Sequence, residues 1–381
     1  MRFNRREFMQ CALAAGVSMG AGSMLGACAG VRRLDLPQQP EALRANPALD
    51  ESRREILYHA ALAPSGHNSQ PWRVRIESTD EWIVEADPER RLQAVDPDNR
   101  ELMLSLGAFA ENLSLAAGAV GYDAKIQVVA KEYFDRDVIR VSLRTDHPNP
   151  YPLGRITRRM TARPGYRSDE IRAADIEALR AAADGRLFYF PKSSPHADRI
   201  RDGVVECSRI QSLRDAAQRE LVSWLRLSDR DALEHRDGLT AEGMDIQGFK
   251  GWIVRHFIEP ENFMKTTFRQ KGIDQTARLA AQGGGWLVIT SSGRTVADLI
   301  EAGRLFERMA LLTRERGIGL HPTTQILEEK HGIDLFASHH GSRVIPQFVI
   351  RVGYLDKYPE PVSLRRPVEW FAPYQQFTHM S

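Results

Sequence analysis

Cysteine is scarce in this chain: 381 residues hold three, Cys11, Cys28 and Cys207. Two of them fall in the first 28 residues, so the body keeps Cys207 alone and no internal disulfide framework can form there. Cys207 sits in an apolar-periodic segment and reads as a buried thiol. An excess of one charge is also missing. With the three Arg and one Glu of the first 27 residues set aside, 49 basic residues face 49 acidic ones. A nucleic-acid partner needs a basic surplus, and none is expected here. Beyond the N-terminus there is no run of about 20 strongly apolar residues, so no later membrane span is expected. His331 and the His339-His340 pair lack the spacing of a zinc helix motif, and no metal site is expected. Nucleophile elbow, P-loop and a strand–G-x-G-x-x-G–helix unit are absent as well. The catalytic residues stay unassigned.

What is present starts with an address. Asn4-Arg5-Arg6-Glu7-Phe8-Met9 resembles the twin-arginine export motif, and an uncharged Ala/Gly/Ser/Met run follows from Cys11 to Ala27. Leu25-Gly26-Ala27-Cys28 matches a lipobox, which would leave Cys28 lipidated as the first mature residue. Ala27-Cys28-Ala29 also reads as an A-x-A cleavage site, so a soluble exported product is the alternative. The expected location is the periplasm or the outer side of the membrane, with the twin-arginine machinery as a partner. Residues 1–29 are then a signal peptide, and the Pro-bearing stretch 30–49 a linker.

The body, 42% apolar and 27% charged over the whole chain, has the composition of a soluble globular protein, and it repeats itself. Aligning Gly107 with Gly303, an offset of 196 residues, brings Glu111 onto Glu307, Leu113 onto Met309, Leu115 onto Leu311 and Gly121 onto Gly317. Leu102, Leu106, Phe109, Leu113, Ala116 and Val120 step by four and three, the mark of one apolar helical stripe. Gly121 and Gly317 read as C-caps. Trp82-Ile83-Val84 and Trp286-Leu287-Val288 start strands ahead of the two helices. Further strands are expected at Trp72–Ile76, Ile126–Ala130, Arg186–Phe190 and Phe348–Val352. Two copies of one α+β unit predict an intramolecular pseudo-dimer, able to function as a monomer. The boundary falls at the alternating prolines 148, 150 and 152, giving halves 50–148 and 149–381. The second half carries an insertion around 195–280.

The most informative stretch is Ala63–Trp72, A-P-S-G-H-N-S-Q-P-W. A Pro-Ser-Gly turn with amide side chains after a helix puts donors and acceptors where a flat polar ligand could be gripped. This string resembles the flavin-contacting loop of the nitroreductase family. Its counterpart near Ala181–Leu187 is only A-A-A-D-G-R-L. Conversely, Ile156–Arg163, I-T-R-R-M-T-A-R, resembles the R-R-S-x-R segment that opens nitroreductase chains, whereas the first copy has only Arg53-Arg54. The resemblance covers about residues 50–370 and is nearest to the tandem, Acg-like branch.

That resemblance implies a nitroreductase-like sandwich with one composite FMN site, one element from each half. Pro64, Ser65, Gly66, Asn68 and Gln70 would serve the ring, with Gly66 allowing close approach. Arg158, Arg159, Thr161 and Arg163 would serve the phosphate and ribityl chain, since guanidinium forks suit phosphate oxygens. Gly317 and Gly319 would line the reactive edge, and Arg365 and Arg366 would close onto the phosphate. Arg226–Leu239 is a candidate lid. The implied activity is electron transfer through FMN to a nitroaromatic, quinone or similar small acceptor. The alternative is a non-catalytic flavin store, because NAD(P)H is cytoplasmic while the signal points outward. A flavin-free scaffold is the third possibility.

Overall fold

The computed structural model describes residues 30–36, 46–340 and 345–373. The expected signal peptide, Cys28 included, lies outside them. In the first half, helix α1 (Glu51–Ala60) is capped by Asp50, whose carboxylate accepts from the Arg53 N–H. Strands β1 (Trp72–Ile76) and β2 (Glu81–Ala86) follow, then helix α2 (Arg100–Ala119), β3 (Tyr122–Val128) and β4 (Asp137–Thr145). After a short α3 (Gly154–Arg158), the second half runs α4 (Ala173–Ala182), β5 (Leu187–Pro191) and five helices, α5 (Pro195–Leu213), α6 (Asp215–Ser223), α7 (Asp229–His235), α8 (Gly248–Phe257) and α9 (Thr266–Ala280). It then returns to β6 (Gly285–Ser291), α10 (Val296–Ala310), β7 (Ile318–Pro322), α11 (Gln325–Glu328), α12 (Lys330–His340), β8 (Ile345–Tyr354) and α13 (Val368–Phe371).

The two sheets have one topology. Their orders are β1-β2-β4-β3 and β5-β6-β8-β7, antiparallel throughout. Both central pairs carry a register shift, at Val84/Glu85 and at Ile289/Thr290. In each half the long helix connects the second strand to the third. The fold is therefore α+β, with two tandem copies in one chain.

The copies meet helix to helix. A Cβ on Gly107 would stand 2.1 Å from the Ile300 carbonyl oxygen, and one on Gly303 would stand 2.1 Å from the Leu104 carbonyl oxygen. Leu104 and Ile300, like Gly107 and Gly303, are 196 residues apart. The contact is isologous: each helix presents the same residues to the other across a pseudo-two-fold axis. The absence of side chains at both glycines lets the backbones touch. Helix α2 is long and apolar enough to cross a membrane, yet it is sheathed by protein. It gives the core cluster Leu106, Phe109 and Leu113, with Leu299, Leu305 and Met309 from α10.

The halves differ on their outer faces. Strand β4 exposes Arg140, Arg144 and Thr145, so its sheet has a wet side, whereas its counterpart β8 is buried from Gln347 to Gly353. The inserted helices explain this: Ala197, Ile200, Val204 and Cys207 of α5 pack on Trp286, Val288 and Val349. Burial there pushes the Cys207 thiol up to about 11. The stretch expected as a free linker needs correction at its start. Val31 and Arg33 dock on the body, Val31 through Asp229 and Arg33 through the Thr157 carbonyl.

Candidate functional site

Two adjoining cavities of about 200 and 100 Å³ lie between the halves and share Pro64, Ser65, His67, Thr161 and Arg163 in their walls. The first half supplies the loop after α1 and the face of α2 with Leu104, Ser105 and Ala108. The second supplies Phe306 of α10, His321 and Pro322 of β7 and Phe348 of β8. Phe306 and Phe348 stack at 4.4 Å with 13° between their planes, forming a flat apolar wall.

The loop is held in a costly conformation. His67, Asn68 and Gln70 all have positive φ (49°, 52° and 52°), where β-carbons are strained. Side-chain hydrogen bonds hold it there. Asn68 Nδ2 donates to the Gly238 and Leu364 carbonyls at 3.1 and 3.2 Å, and its Oδ1 accepts from Arg365 at 2.8 Å. Gln70 Nε2 donates to the Arg236 carbonyl at 2.9 Å, while its Oε1 accepts from the Arg366 N–H at 2.9 Å. The expectation that these amides stand open is corrected. Asn68 reaches the smaller cavity wall but its hydrogen bonds are committed, and Gln70 lies outside both cavities. Ser65 Oγ accepts from the Gln70 N–H at 2.9 Å, leaving its hydroxyl proton to donate into the cleft.

The smaller cavity is strongly cationic. Arg33, Arg159, Arg163 and Arg365 line it. Arg159 Nε lies 3.2 Å from Glu307 Oε1, and Arg163 lies 3.7 Å from Asp245. Burial, and after it the neighbouring guanidinium of Arg159, brings Arg33 down to about 10; burial with Arg33 and Arg159 beside it pushes Arg365 well down. The Nε of Arg365 is buried without a hydrogen-bond acceptor, while that of Arg159 faces Glu307. Four guanidiniums with few acids and an orphaned donor make a cradle for an anion of phosphate type.

Other expected residues fall elsewhere. Arg158 is exposed and donates to its own helix at Gly154, on the far side of the turn from Arg159. Arg366 is buried under the loop, where it donates to the Gln70 and Trp72 carbonyls at 2.6 and 2.7 Å. Gly317 (φ +65°) caps the turn before β7, and Gly319 packs on Leu355 and Tyr166. None of these four lines the cavities. At β7 it is the far end of the strand, His321-Pro322, that reaches the cleft.

Three groups in the cleft were not among the expected site residues. Arg33 was hidden in an apparent linker, and nothing local marks it. His67 lies inside the quoted loop and lines the cleft; its Nδ1 is buried without a partner, and burial holds the ring below its usual pKa. His321 is lowered further, by burial and then by Arg163 and Arg351. Arg351 lies 3.2 Å from His321 Nδ1, so that nitrogen accepts and the neutral ring carries its proton on Nε2. A third cavity of about 340 Å³ continues past His67 and Glu101 toward α5, α6 and α9. Glu328 in its wall is held well above the carboxylate range by burial and by Glu101.

The strap Arg236–Gly243 crosses the cationic end. The Gly238 N–H donates to the Asn68 carbonyl at 3.1 Å, and Asp237 receives Arg90 at 2.8 Å and Arg226 at 2.9 Å. Gly238 (φ +68°) has the Trp224 carbonyl 2.3 Å from where a Cβ would stand, so only glycine fits.

No family model matches the chain. Among curated proteins it is 27% identical over 345 residues to an M. tuberculosis protein, Rv3131, covering 87% of this chain and 95% of that one; Rv3131 bears a provisional NAD(P)H nitroreductase designation. It is 24% identical over 328 residues to the "Probable NAD(P)H nitroreductase PigM" of a Serratia species, covering 81% and 89%. The M. tuberculosis protein acg, of the same provisional designation, is 25% identical over 341 residues, covering 81% and 92%. Solved structures similar to parts of the chain include the FMN-dependent nitroreductase NfnB of Mycobacterium smegmatis in complex with NADPH. That match has 14% identity and TM-score 0.36, and covers 58% of this chain and 96% of that one. A nitroreductase-like protein of Bacillus cereus gives 12% identity and TM-score 0.33 over 58% and 95%. Through both halves, the chain is similar to curated proteins named as NAD(P)H nitroreductases.

Proposed function

We propose that this protein is an exported FMN-dependent oxidoreductase of the nitroreductase type, built as a monomeric pseudo-dimer with one flavin site. The observation that carries the reading is the cleft between the halves, cationic at one end and flat and apolar at the other. Arg33, Arg159 and Arg365 would hold the phosphate, with Arg163 and Thr161 beside it. Ser65 and the loop backbone would meet the polar parts of the ligand, and the Phe306–Phe348 wall would flank its ring system. When bound, the flavin supplies reversible two-electron chemistry toward nitroaromatic, quinone or similar acceptors. The protein's part is orientation and dielectric. The neutral imidazoles of His67 and His321 add polar N–H groups without adding charge, and the aromatic wall keeps water from one side.

A second reading has its own support. The strap over the cationic end is tied by Asn68, Gln70 and Asp237, which suits a protein that retains flavin more than one that exchanges partners quickly. The two separate cleanly. Protein purified without added flavin should be yellow, and its flavin should be reduced by dithionite without oxygen. Reoxidation by a nitroaromatic or quinone supports the oxidoreductase; flavin that reacts with neither acceptor supports storage. A colourless protein that takes up no FMN on refolding rejects both in favour of a flavin-free scaffold. Export, and Cys28 lipidation over a soluble cleaved form, is tested by fractionating cells and measuring the mass of the mature N-terminus.

A further inference from the structure

The insertion carries a face that the cleft does not use. On α8, Phe249 stacks on Trp252 with centroids 5.7 Å apart, Trp252 stacks on His256 at 4.9 Å, and Phe257 meets Trp252 edge-on at 5.4 Å. Phe249, 63% exposed, is the most exposed large hydrophobic residue among those described. Lys250 and His256 are exposed on the same helix. The helix's inner side is fastened by charge: Arg255 is buried, paired with Glu242, and 3.6 Å from Asp229.

That same acidic pair receives the beginning of the described chain. The Val31 N–H donates to Asp229 at 3.4 Å, and Gly30 lies against the Glu242 carboxylate. A Cβ on Gly30 would stand 2.5 Å from Glu242 Oε1, so the chain is pressed against the α8 anchor. The sequence immediately before this point is the uncharged run Cys11–Ala27 followed by Cys28. Kept whole or trimmed to a lipid-bearing Cys28, an apolar N-terminal signal would join the described chain at Gly30, which lies against Glu242, the residue that pairs with Arg255 of α8.

We infer that the α8 face docks on a lipid bilayer. Phe249 and Trp252 sit at the headgroup–acyl boundary, where flat amphipathic rings are favoured, and Lys250 faces anionic headgroups. A few aromatics or one acyl chain alone bind membranes marginally, whereas two adjacent signals hold a protein firmly. The N-terminus is one signal and α8 the other. This placement turns the insertion, with the Arg236–Gly243 strap, toward the membrane, and it stands whether or not the flavin turns over.

The test uses the full chain with Cys11 and Cys28 changed to Ser and Phe249→Cys bearing an environment-sensitive dye. Vesicles are of phosphatidylcholine and phosphatidylglycerol. The dye should shift to the blue, brighten severalfold on binding vesicles, and be quenched by shallow spin-labelled lipids. A dye at Phe134→Cys, on a similarly exposed residue of the first half (55%), should not change. Failure to bind vesicles, or binding with no change at position 249, overturns the inference. A dye already blue-shifted without vesicles at every protein concentration means the chain's own N-terminal segment covers the face. A shift that grows with protein concentration and doubled mass means a second copy does. Either overturns it too.

Discussion

Between the first helix and first strand of each half, the same structural position has two solutions. In the first half it is the eleven residues Ala61–Pro71, with three non-glycine residues at positive φ; in the second it is four, Ala183–Arg186. Downstream the same divergence recurs. At the constant offset, Phe306 in the cleft wall corresponds to Ala110, fully buried in the core, and His321 corresponds to the exposed Lys125. Arg308, which with Arg304 holds Glu111, corresponds to Asn112 beside Glu307. The halves stay alike where they touch and differ where they could bind. A fused pair needs its interface twice and its site once, so one set of binding residues is free to become core or surface.

Four experiments would break or sharpen this contrast. The largest effect is expected at the shared contact: Gly107→Val and Gly303→Val each push a side chain into the partner backbone. Each should cost about 3 kcal/mol or more, by equal amounts in thermal melts; a large inequality would show the axis to be nominal. Next, Arg33→Met with Arg163→Met removes two charge-assisted contacts from the cleft, each worth about 1.5–3 kcal/mol. FMN retention should fall by roughly 100-fold or more in a flavin-release assay. Arg158→Ala, on the exposed side of its helix, should leave retention unchanged. Third, Gly238→Ala drives a Cβ into the Trp224 carbonyl at a positive-φ position and must displace the strap, at a cost of at least about 1–3 kcal/mol; the melting temperature should fall and bound flavin should dissociate faster.

The smallest effect concerns Glu307, against its counterpart Glu111. Burial lifts Glu307 from 4.5 to about 7, against the opposing pull of Arg159. The folded protein then keeps a proton that the unfolded chain has released, so stability is greatest below the unfolded value and declines as pH rises from 4.5 to about 7. Melting temperatures of Glu307→Gln should fall less steeply over that window than those of the natural chain, a difference worth roughly 1–3 kcal/mol at pH 7. Parallel slopes would remove Glu307 as the cause.

The helix pair was legible because its stripe is local and its offset gap-free; Trp72–Ile76 was legible because hydrophobic alternation and a Pro-Trp start coincide. The third strand starts earlier than expected, at Tyr122, because Gly121 ends the helix and pairing with β4 begins at once. The cleft was legible only in outline. Residue type suggested that Asn68 and Gln70 bind a ligand, but whether an amide is free depends on carbonyls 166–296 residues away. Arg33 enters the cleft by a chain path that no local pattern records. Arg158 and Arg159 look equivalent in sequence, and a turn of backbone sends one to solvent and the other inward.

The glycine crossing also sets how accurately the cleft is made. Leu104 and Phe306 each lie three residues from it, roughly 4.5 Å along their helices. With so short a lever, a few degrees of rocking between the halves would move these side chains by only about half an ångström or less. The crossing acts as a pivot close beneath the ligand's seat. Breathing of the two lobes is therefore spent at the distant sheet edges, and the spacing between the α2 face and the Phe306 wall stays nearly fixed.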